Sequence, residues 1–342
     1  MTIDMHAHWR PPELIDALRN RTTPPMINTD ENGEEILNDG RYNQPIAEAF
    51  DDVEIRLSEM DEQGISTAVL SLVGGFTWIE RLPIQEALPL VRIVNDALSA
   101  VCQNNEGRFA VFASLPSSNI TAAAEEFERA IALPGIVGVQ VPGNAFLTYE
   151  DAKAMRPILE VANKHKAVVF LHFGPRADDA WPRVAKDTDN MRRRIGTLDM
   201  QASLSSNMVT LCMTDILDDY PDAMIQIHNL GGNIPYEIER MDHRSLLDTP
   251  EEELPSKRFF DSSVIVDCNS FGARAIEAGV CAFGEDRIVF GTDGSTFGCE
   301  WSSKALNEAR ISEDAKQKIF HHNAARMLSH LAPLAEPADT AK

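Results

Sequence analysis

The sequence lacks the features that mark secreted, membrane-spanning and nucleic-acid-binding proteins. No apolar run approaches the length that crosses a bilayer, and no basic and apolar leader opens the chain. Positive charge is scarce, since 31 Lys and Arg stand against 53 Asp and Glu, for a formal net charge of -22. This balance argues against nucleic acid or an anionic membrane surface as a partner. We therefore expect a soluble cytoplasmic protein.

Cysteine is sparse, and one common nucleotide-binding motif is missing. The five cysteines are scattered, with no CxxC pair and no compact framework, which favours reduced thiols over disulfides. No GxGxxG follows the first predicted strand, so a dinucleotide-binding sheet is disfavoured. The 342 residues are 44% hydrophobic and 25% charged, which is enough for one large core.

Eight short apolar segments alternate with helical segments along the chain. Their continuous apolar character is typical of parallel strands that are buried on both faces. Eight such units predict a single-domain (β/α)8 barrel over residues 1–332, with a flexible tail at 333–342 and a doubly wound open sheet as the alternative. The predicted strands are 2–9, 67–73, 109–113, 136–141, 167–172, 223–228, 263–267 and 287–290.

Residues 11–50 interrupt this alternation directly after the first strand. Pro-Pro, Asn-Gly and Asp-Gly pairs make the segment rich in turn chemistry. It is too long for an ordinary connection, and segments of this kind are usually functional covers or disordered. We expect this insertion to lie near the mouth of the active site.

Histidine and aspartate recur where the predicted strands end. His6 and His8 are two residues apart, so a strand directs both side chains to the same face. His172 ends the fifth strand, His228 ends the sixth and Asp293 follows the eighth. Barrel enzymes place their chemistry at this end of the strands, and burial of so many polar groups is costly without compensation. The pattern therefore predicts a metal site, because imidazole is the commonest side-chain ligand.

Five short motifs surround these residues. They are IDMHAH at 3–8, MDEQGI at 60–65, HNLGGNIPY at 228–236, FGTD at 290–293 and NAAR at 323–326. With the histidine and aspartate pattern, they resemble the amidohydrolase superfamily, and within it the branch that contains aminocarboxymuconate-semialdehyde decarboxylase. The resemblance runs from residue 3 to about residue 329.

This resemblance implies one divalent metal ion, with Zn²⁺ favoured and Mn²⁺ as the alternative. His6, His8, His172 and Asp293 would be its ligands, Asp293 would also act in catalysis by orienting water, and His228 would be the acid/base. Manganese-dependent relatives replace the first histidine by Glu and the second by Ala, whereas this chain keeps both. Binuclear relatives carry Lys or Glu at the end of strand four, where this chain reads VQVP at 139–142, so one metal is expected.

The implied reaction is non-oxidative decarboxylation of a small aromatic or unsaturated acid. Hydrolysis of an amide or lactone by metal hydroxide and hydration of a conjugated double bond use the same groups, and both stay open as alternatives. An inactive metal-binding barrel is the third alternative. The resemblance also implies a homodimer.

Side chains near the barrel mouth are candidates for binding the substrate. A guanidinium pairs well with a carboxylate, and aromatic rings can wall an unsaturated molecule. Two loops depart from the pattern of the branch: residues 294–298 stand where relatives carry Tyr/His-Pro, and 173–176 replace a His-Pro-type turn. The substrate-binding candidates are Trp9, Arg10, Arg41, Phe76 and Arg176.

Overall fold

Eight parallel strands in a computed structural model form one sheet that closes into a barrel. The structure describes residues 1–40, 43–46, 52–72, 79–180, 190, 193–269, 272–294 and 299–335. The strands in these residues are β1 Thr2–His8, β2 Met26–Thr29, β3 Glu35–Asn38, β4 Asn43–Pro45, β5 Ile65–Ser71, β6 Phe109–Ala113, β7 Ile136–Pro142, β8 Val168–His172, β9 Met224–Ile227, β10 Ile265–Asp267 and β11 Ile288–Val289.

The barrel strands follow the order β1-β5-β6-β7-β8-β9-β10-β11, and each ladder between neighbours is parallel. The two ends of the sheet meet where the Met5 N–H donates to the Phe290 carbonyl at 2.9 Å. The His8 N–H donates to the Gly294 carbonyl at 3.1 Å. The predicted (β/α)8 barrel is therefore confirmed.

Helices surround the barrel and bury their apolar faces against it. Asp52 and Asn119 accept hydrogen bonds from backbone N–H groups in the first turns of the helices that follow them, which fixes where these helices begin. The α-helices are Pro12–Arg19, Val53–Glu62, Ile84–Asn104, Ile120–Ala130, Tyr149–Ala154, Arg156–His165, Met200–Met213, Ile234–Asp248, Pro255–Asp261, Ala273–Phe283, Glu300–Glu308, Glu313–Gln317 and Asn323–Leu328; π-helical turns span Arg194–Asp199 and Lys318–His322. In the part of the chain that is described, no helix combines the length and the apolar character needed to cross a membrane.

The core has two layers separated by the sheet. One layer packs between the strands and the helices, and the other fills the barrel interior. Ile3 and Met5 from β1 belong to the interior layer, whereas Ala7 and Trp9 pack outside. The alternation along β1 thus changes phase within the strand.

A β-bulge explains this change of phase. Asp4 pairs with Ala68 and Ala7 with Leu70, so three steps along β1 match only two steps along β5. The extra residue turns His6 to the interior side, where its ring contacts Phe170. The bulge therefore places His6 above the packed interior of the barrel.

The insertion after β1 is more regular than its turn-rich sequence predicts. It contains the helix Pro12–Arg19 and a small antiparallel sheet in the order β2-β3-β4. Gly33 and Gly40 lie in the connections between these strands, and both have positive φ angles, which glycine adopts without strain. Leu37 is fully buried in the outer core layer, and this burial docks the insertion on the barrel.

The carboxyl-terminal segment contacts the end of the barrel at which the strands begin. Leu334 packs against the interior layer, and the Ala335 N–H donates to the Gly107 carbonyl at 3.1 Å. Residues 336–342 of the predicted flexible tail lie outside the described residues.

Candidate metal centre

Four side chains from three distant parts of the chain converge at the carboxyl ends of the barrel strands. His6, His8, His172 and Asp293 each offer one ligand atom, and these atoms all lie within 4.8 Å of one another. The Nε2 atoms of His6 and His8 are 3.2 Å apart. The nearer carboxylate oxygen of Asp293 lies 3.0 Å from His8 Nε2 and 3.5 Å from His6 Nε2. The convergence predicted from the strand ends is therefore present.

The second nitrogen of each ring is engaged away from the cluster. His6 Nδ1 lies 2.9 Å from an Asp267 carboxylate oxygen, and His8 Nδ1 lies 3.0 Å from the Ser71 hydroxyl. His172 Nδ1 lies 3.0 Å from the Phe173 carbonyl, to which it donates. Since Nδ1 carries the proton where it donates to an oxygen, Nε2 keeps a lone pair that faces the cluster.

The protonation states of His8, His172 and Asp293 suit metal binding. Burial lowers the pKa of His172 to about 3, and burial likewise lowers the pKa of His8. Burial also opposes charge on His6, but Asp267 and Asp293 together raise the pKa of that ring. Burial would raise the pKa of Asp293, yet His6, His8 and His172 hold it well below its usual range. The site thus offers the neutral rings of His8 and His172 beside an ionised carboxylate, and metal binding must displace the proton that Asp267 and Asp293 favour on His6.

One buried ring nitrogen of the cluster is in a state that favours a bound ligand. His172 Nε2 is buried and has no hydrogen-bond partner among the described residues. A buried polar atom left in this way is costly unless something binds it. Three imidazole nitrogens and one carboxylate oxygen are the donor set that a divalent ion such as Zn²⁺ accepts. These residues therefore fit a divalent metal site.

His228 lies directly beside the four ligands. Its ring stacks on the His172 ring, with 4.5 Å between centroids and 13° between planes. The Phe173 backbone N–H donates to His228 Nε2 at 2.9 Å, so the neutral ring carries its proton on Nδ1. That Nδ1 has no partner among the described residues. Burial, reinforced by the neighbouring imidazoles, lowers the pKa of His228 well below its usual value.

The substrate-binding candidates fall into different environments. Trp9 and Arg10 follow the β1 ligands in the chain and are buried, each with 3% of its surface exposed, and Trp9 packs in the outer core layer. Arg176 is half-exposed, and its guanidinium pairs with Asp151 at 2.6 Å and Asp179 at 3.0 Å. Arg41 and Phe76 lie outside the described residues.

Two buried groups near the ligands are missing from the sequence-based set. The Arg56 guanidinium is 1% exposed and donates to the His8 carbonyl at 2.9 Å. Its position within a helical pattern carries no signal of this role. Asp267 ends a barrel strand, and that placement was the same signal that identified the histidines.

A cavity of about 190 Å³ adjoins one of the four metal ligands. His172 is part of its wall, and Glu80 and Gln140 are among its polar groups. Burial raises the pKa of Glu80, which makes its carboxyl group harder to ionise. The apolar wall includes Leu115, Ile120, Ala123, Val141, Met155 and Ile158.

The chain matches a known protein family over most of its length. The family model described as Amidohydrolase matches residues 3–329. The chain belongs to the amidohydrolase family. The match covers nearly the whole barrel and confirms the family predicted from the five motifs.

Relatives of this amidohydrolase include several decarboxylases. Gamma-resorcylate decarboxylase of a Rhizobium species is 28% identical over 80% of this chain and 85% of the relative. The 2-amino-3-carboxymuconate-6-semialdehyde decarboxylase of Dictyostelium discoideum is 24% identical over 96% of this chain and 91% of the relative. The solved dihydroxybenzoic acid decarboxylase of a Polaromonas species, with bound manganese and the inhibitor 2-nitroresorcinol, superposes with a TM-score of 0.69 at 22% identity, covering 96% of each chain.

Proposed function

We propose that this amidohydrolase is a metal-dependent, non-oxidative decarboxylase of a small aromatic or unsaturated carboxylic acid. The observation that carries the proposal is the three-histidine and aspartate cluster with the His228 ring stacked against it. The two curated relatives described above are decarboxylases, which supports this reaction over hydrolysis or hydration.

We propose one Zn²⁺ ion as the cofactor, held by His6, His8, His172 and Asp293, with Mn²⁺ as the alternative. Imidazole-rich sites suit zinc, whereas the Polaromonas structure contains manganese. When bound, the ion would act as a Lewis acid that polarises an oxygen of the substrate.

His228 is proposed as the group that delivers the proton. In the reaction the carbon–carbon bond to the carboxylate breaks, CO2 leaves and a carbon–hydrogen bond forms, so no oxidant is needed. The negative charge of a bound acid raises the pKa of a nearby imidazole and favours its cationic form. In that form Nδ1 can give up its proton, and the protonated Nε2 no longer accepts the hydrogen bond from the Phe173 N–H.

The cavity beside His172 is proposed to hold the ring of the substrate. A cavity of 150 Å³ with apolar walls holds a benzene molecule, and this one measures about 190 Å³. Gln140 Oε1 is buried without a partner among the described residues, so it offers an acceptor to a ring hydroxyl. Trp9, Arg10, Arg41, Phe76 and Arg176 stay predictions as further substrate contacts.

The direct experiment is CO2 release from a panel of hydroxybenzoates and muconate-type acids by the purified, metal-loaded protein. We expect release from at least one acid and loss of at least 1,000-fold of that rate in His228→Asn, with about one equivalent of metal retained. Opening of lactones or amides without CO2 release would identify a hydrolase instead. Loss of the metal in His228→Asn would make this residue a ligand and contradict its proposed role.

We also propose a homodimer in the cytoplasm. Tyr236, Leu246 and Leu247 are exposed on one helix and Phe260 on the helix that packs beside it, a grouping typical of an interface. The five cysteines are unpaired, as in a reducing compartment. Light scattering on the wild type and on Leu247→Lys tests the dimer, which the charged variant should weaken.

A further inference from the structure

Asp267 stands behind the metal ligands in a fully buried position. One carboxylate oxygen lies 2.9 Å from His6 Nδ1, and both side chains are 0% exposed. The other oxygen accepts the backbone N–H of Asn229 at 3.0 Å and that of Asn269 at 3.1 Å. One oxygen therefore contacts a proposed metal ligand, and the other holds the backbone after β9 and β10.

The backbone is shaped to let this carboxylate reach His6. A Cβ atom on Gly291 would lie 3.0 Å from the Cβ of His6, 3.0 Å from the Cβ of Asp267 and 3.1 Å from its carboxylate carbon. Such distances are too short for a side chain to be accommodated without displacement. Glycine at position 291 thus keeps open the space in which the two side chains meet.

We propose that Asp267 is a positioning residue that fixes the tautomer of His6 and anchors the turn that carries His228. Its oxygen holds the His6 proton on Nδ1, so Nε2 presents a lone pair to the metal. This assignment rests on the metal site proposed above, in which His6 Nε2 is a ligand atom.

Asp267 also contacts the turn after β9, which carries His228. Asn229 follows His228 directly and has a φ of 52°, a left-handed conformation that few residues other than glycine and asparagine adopt. The hydrogen bond from its N–H to Asp267 helps to hold this conformation. One carboxylate therefore sets the position of both a ligand and the proposed proton donor.

The variant Asp267→Asn separates the two roles. Its amide oxygen can still accept both backbone N–H groups, which leaves the amide NH2 facing His6 Nδ1. Since an NH2 group only donates, Nδ1 must become the acceptor and the His6 proton must move to Nε2. A protonated Nε2 cannot bind a metal, so the ligand is lost while the turn remains anchored.

The test measures metal affinity by competition with a chromogenic chelator, for Zn²⁺ and for Mn²⁺. We expect Asp267→Asn to bind 10- to 100-fold more weakly than the wild type. Long-range ¹H–¹⁵N spectra of the metal-free, ¹⁵N-histidine-labelled proteins, with His6→Ala for assignment, should show the proton moving from Nδ1 to Nε2. Neither measurement needs a substrate, so both test Asp267 even if no acid is decarboxylated.

A matched control is the buried carboxylate of Glu126, which is 0% exposed and bonded to Arg129, Arg92 and Asn95. Glu126→Gln should leave metal affinity and the His6 tautomer unchanged. Asp267→Ala should weaken metal binding and also lower the melting temperature of the metal-free protein, because the turn loses its anchor. Wild-type affinity with His6 still protonated on Nδ1 in Asp267→Asn would overturn the proposal.

Discussion

Filling the cavity beside His172 tests where the substrate ring binds. Ala123 lines this cavity from the helix Ile120–Ala130 and is 3% exposed. The change Ala123→Leu adds three carbon atoms to a space only about a quarter larger than the 150 Å³ that holds benzene. A six-carbon ring and the new side chain cannot occupy it together, so about half of the ring must stay outside.

The expected loss of kcat/KM follows from the part of the substrate ring that stays in water. Three ring carbons at about 0.8 kcal/mol each give about 2 kcal/mol, or about 30-fold in kcat/KM for the acid that the wild type decarboxylates. The rate is measured as CO2 release over a range of substrate concentrations. Most of the change should fall in KM, because the ring is bound in both the ground state and the transition state.

A control variant on the same helix distinguishes a blocked cavity from a general loss of protein structure. Ala124 is the next residue, packs partly against the outer core and is not part of the cavity wall. Ala124→Leu should keep kcat/KM within a few-fold of the wild type. Ala123→Leu should also keep or raise the melting temperature, since the added carbons fill empty space. Unchanged kcat/KM in a stable Ala123→Leu protein would place the ring elsewhere.

Three further predictions concern the ligands, the space behind them and pH. His172→Ala should lower zinc affinity at least 100-fold in chelator competition, and unchanged affinity would remove His172 from the ligand set. Gly291→Ala should weaken metal binding about 10-fold without changing any ligand, because its Cβ forces His6 and Asp267 apart; isothermal titration measures this. Burial raises the pKa of Glu126, but hydrogen bonds from its neighbours outweigh burial and lower it below 4.5. Its stabilisation is therefore present above pH 4.5 and lost as the pH falls through the lowered value, so the melting temperature of Glu126→Gln should fall less than that of the wild type between pH 5 and 3.

The barrel and the metal ligands could be predicted because both depend on short, local patterns. A buried parallel strand is a run of apolar residues, and the carboxyl ends of such strands meet at one rim. A histidine or aspartate at a strand end is thereby placed near the others without knowledge of any long-range contact. The positions of His172 and Asp293 followed from this rule alone.

The bulge in β1 and the role of Arg56 could not be predicted in the same way, because both depend on packing. The bulge in β1 arises from a mismatch with β5, and it decides that His6 and not Ala7 faces the interior. Arg56 contacts β1 from a helix 48 positions along the chain. Its charge in a helical pattern is typical of a solvated face, whereas the structure buries it.

The hydrogen bonds that close the barrel are also those that build the metal centre. The Thr292 and Asp293 N–H groups both donate to the His6 carbonyl, at 3.2 Å and 2.7 Å. Asp4 accepts the His6 and Thr292 N–H groups, and its other oxygen accepts the Thr292 hydroxyl at 2.5 Å. The ligand from the end of the chain is thus tied to the ligand from its start through the backbone.

This arrangement explains how Asp293 keeps an unfavourable backbone conformation. Its φ of 56° costs about 1–3 kcal/mol for a residue with a side chain. Each buried hydrogen bond in the closure contributes about 1 kcal/mol, so four or five of them offset the strain. The carboxylate is therefore held in place before any ion binds, and metal binding need not supply the free energy to order it.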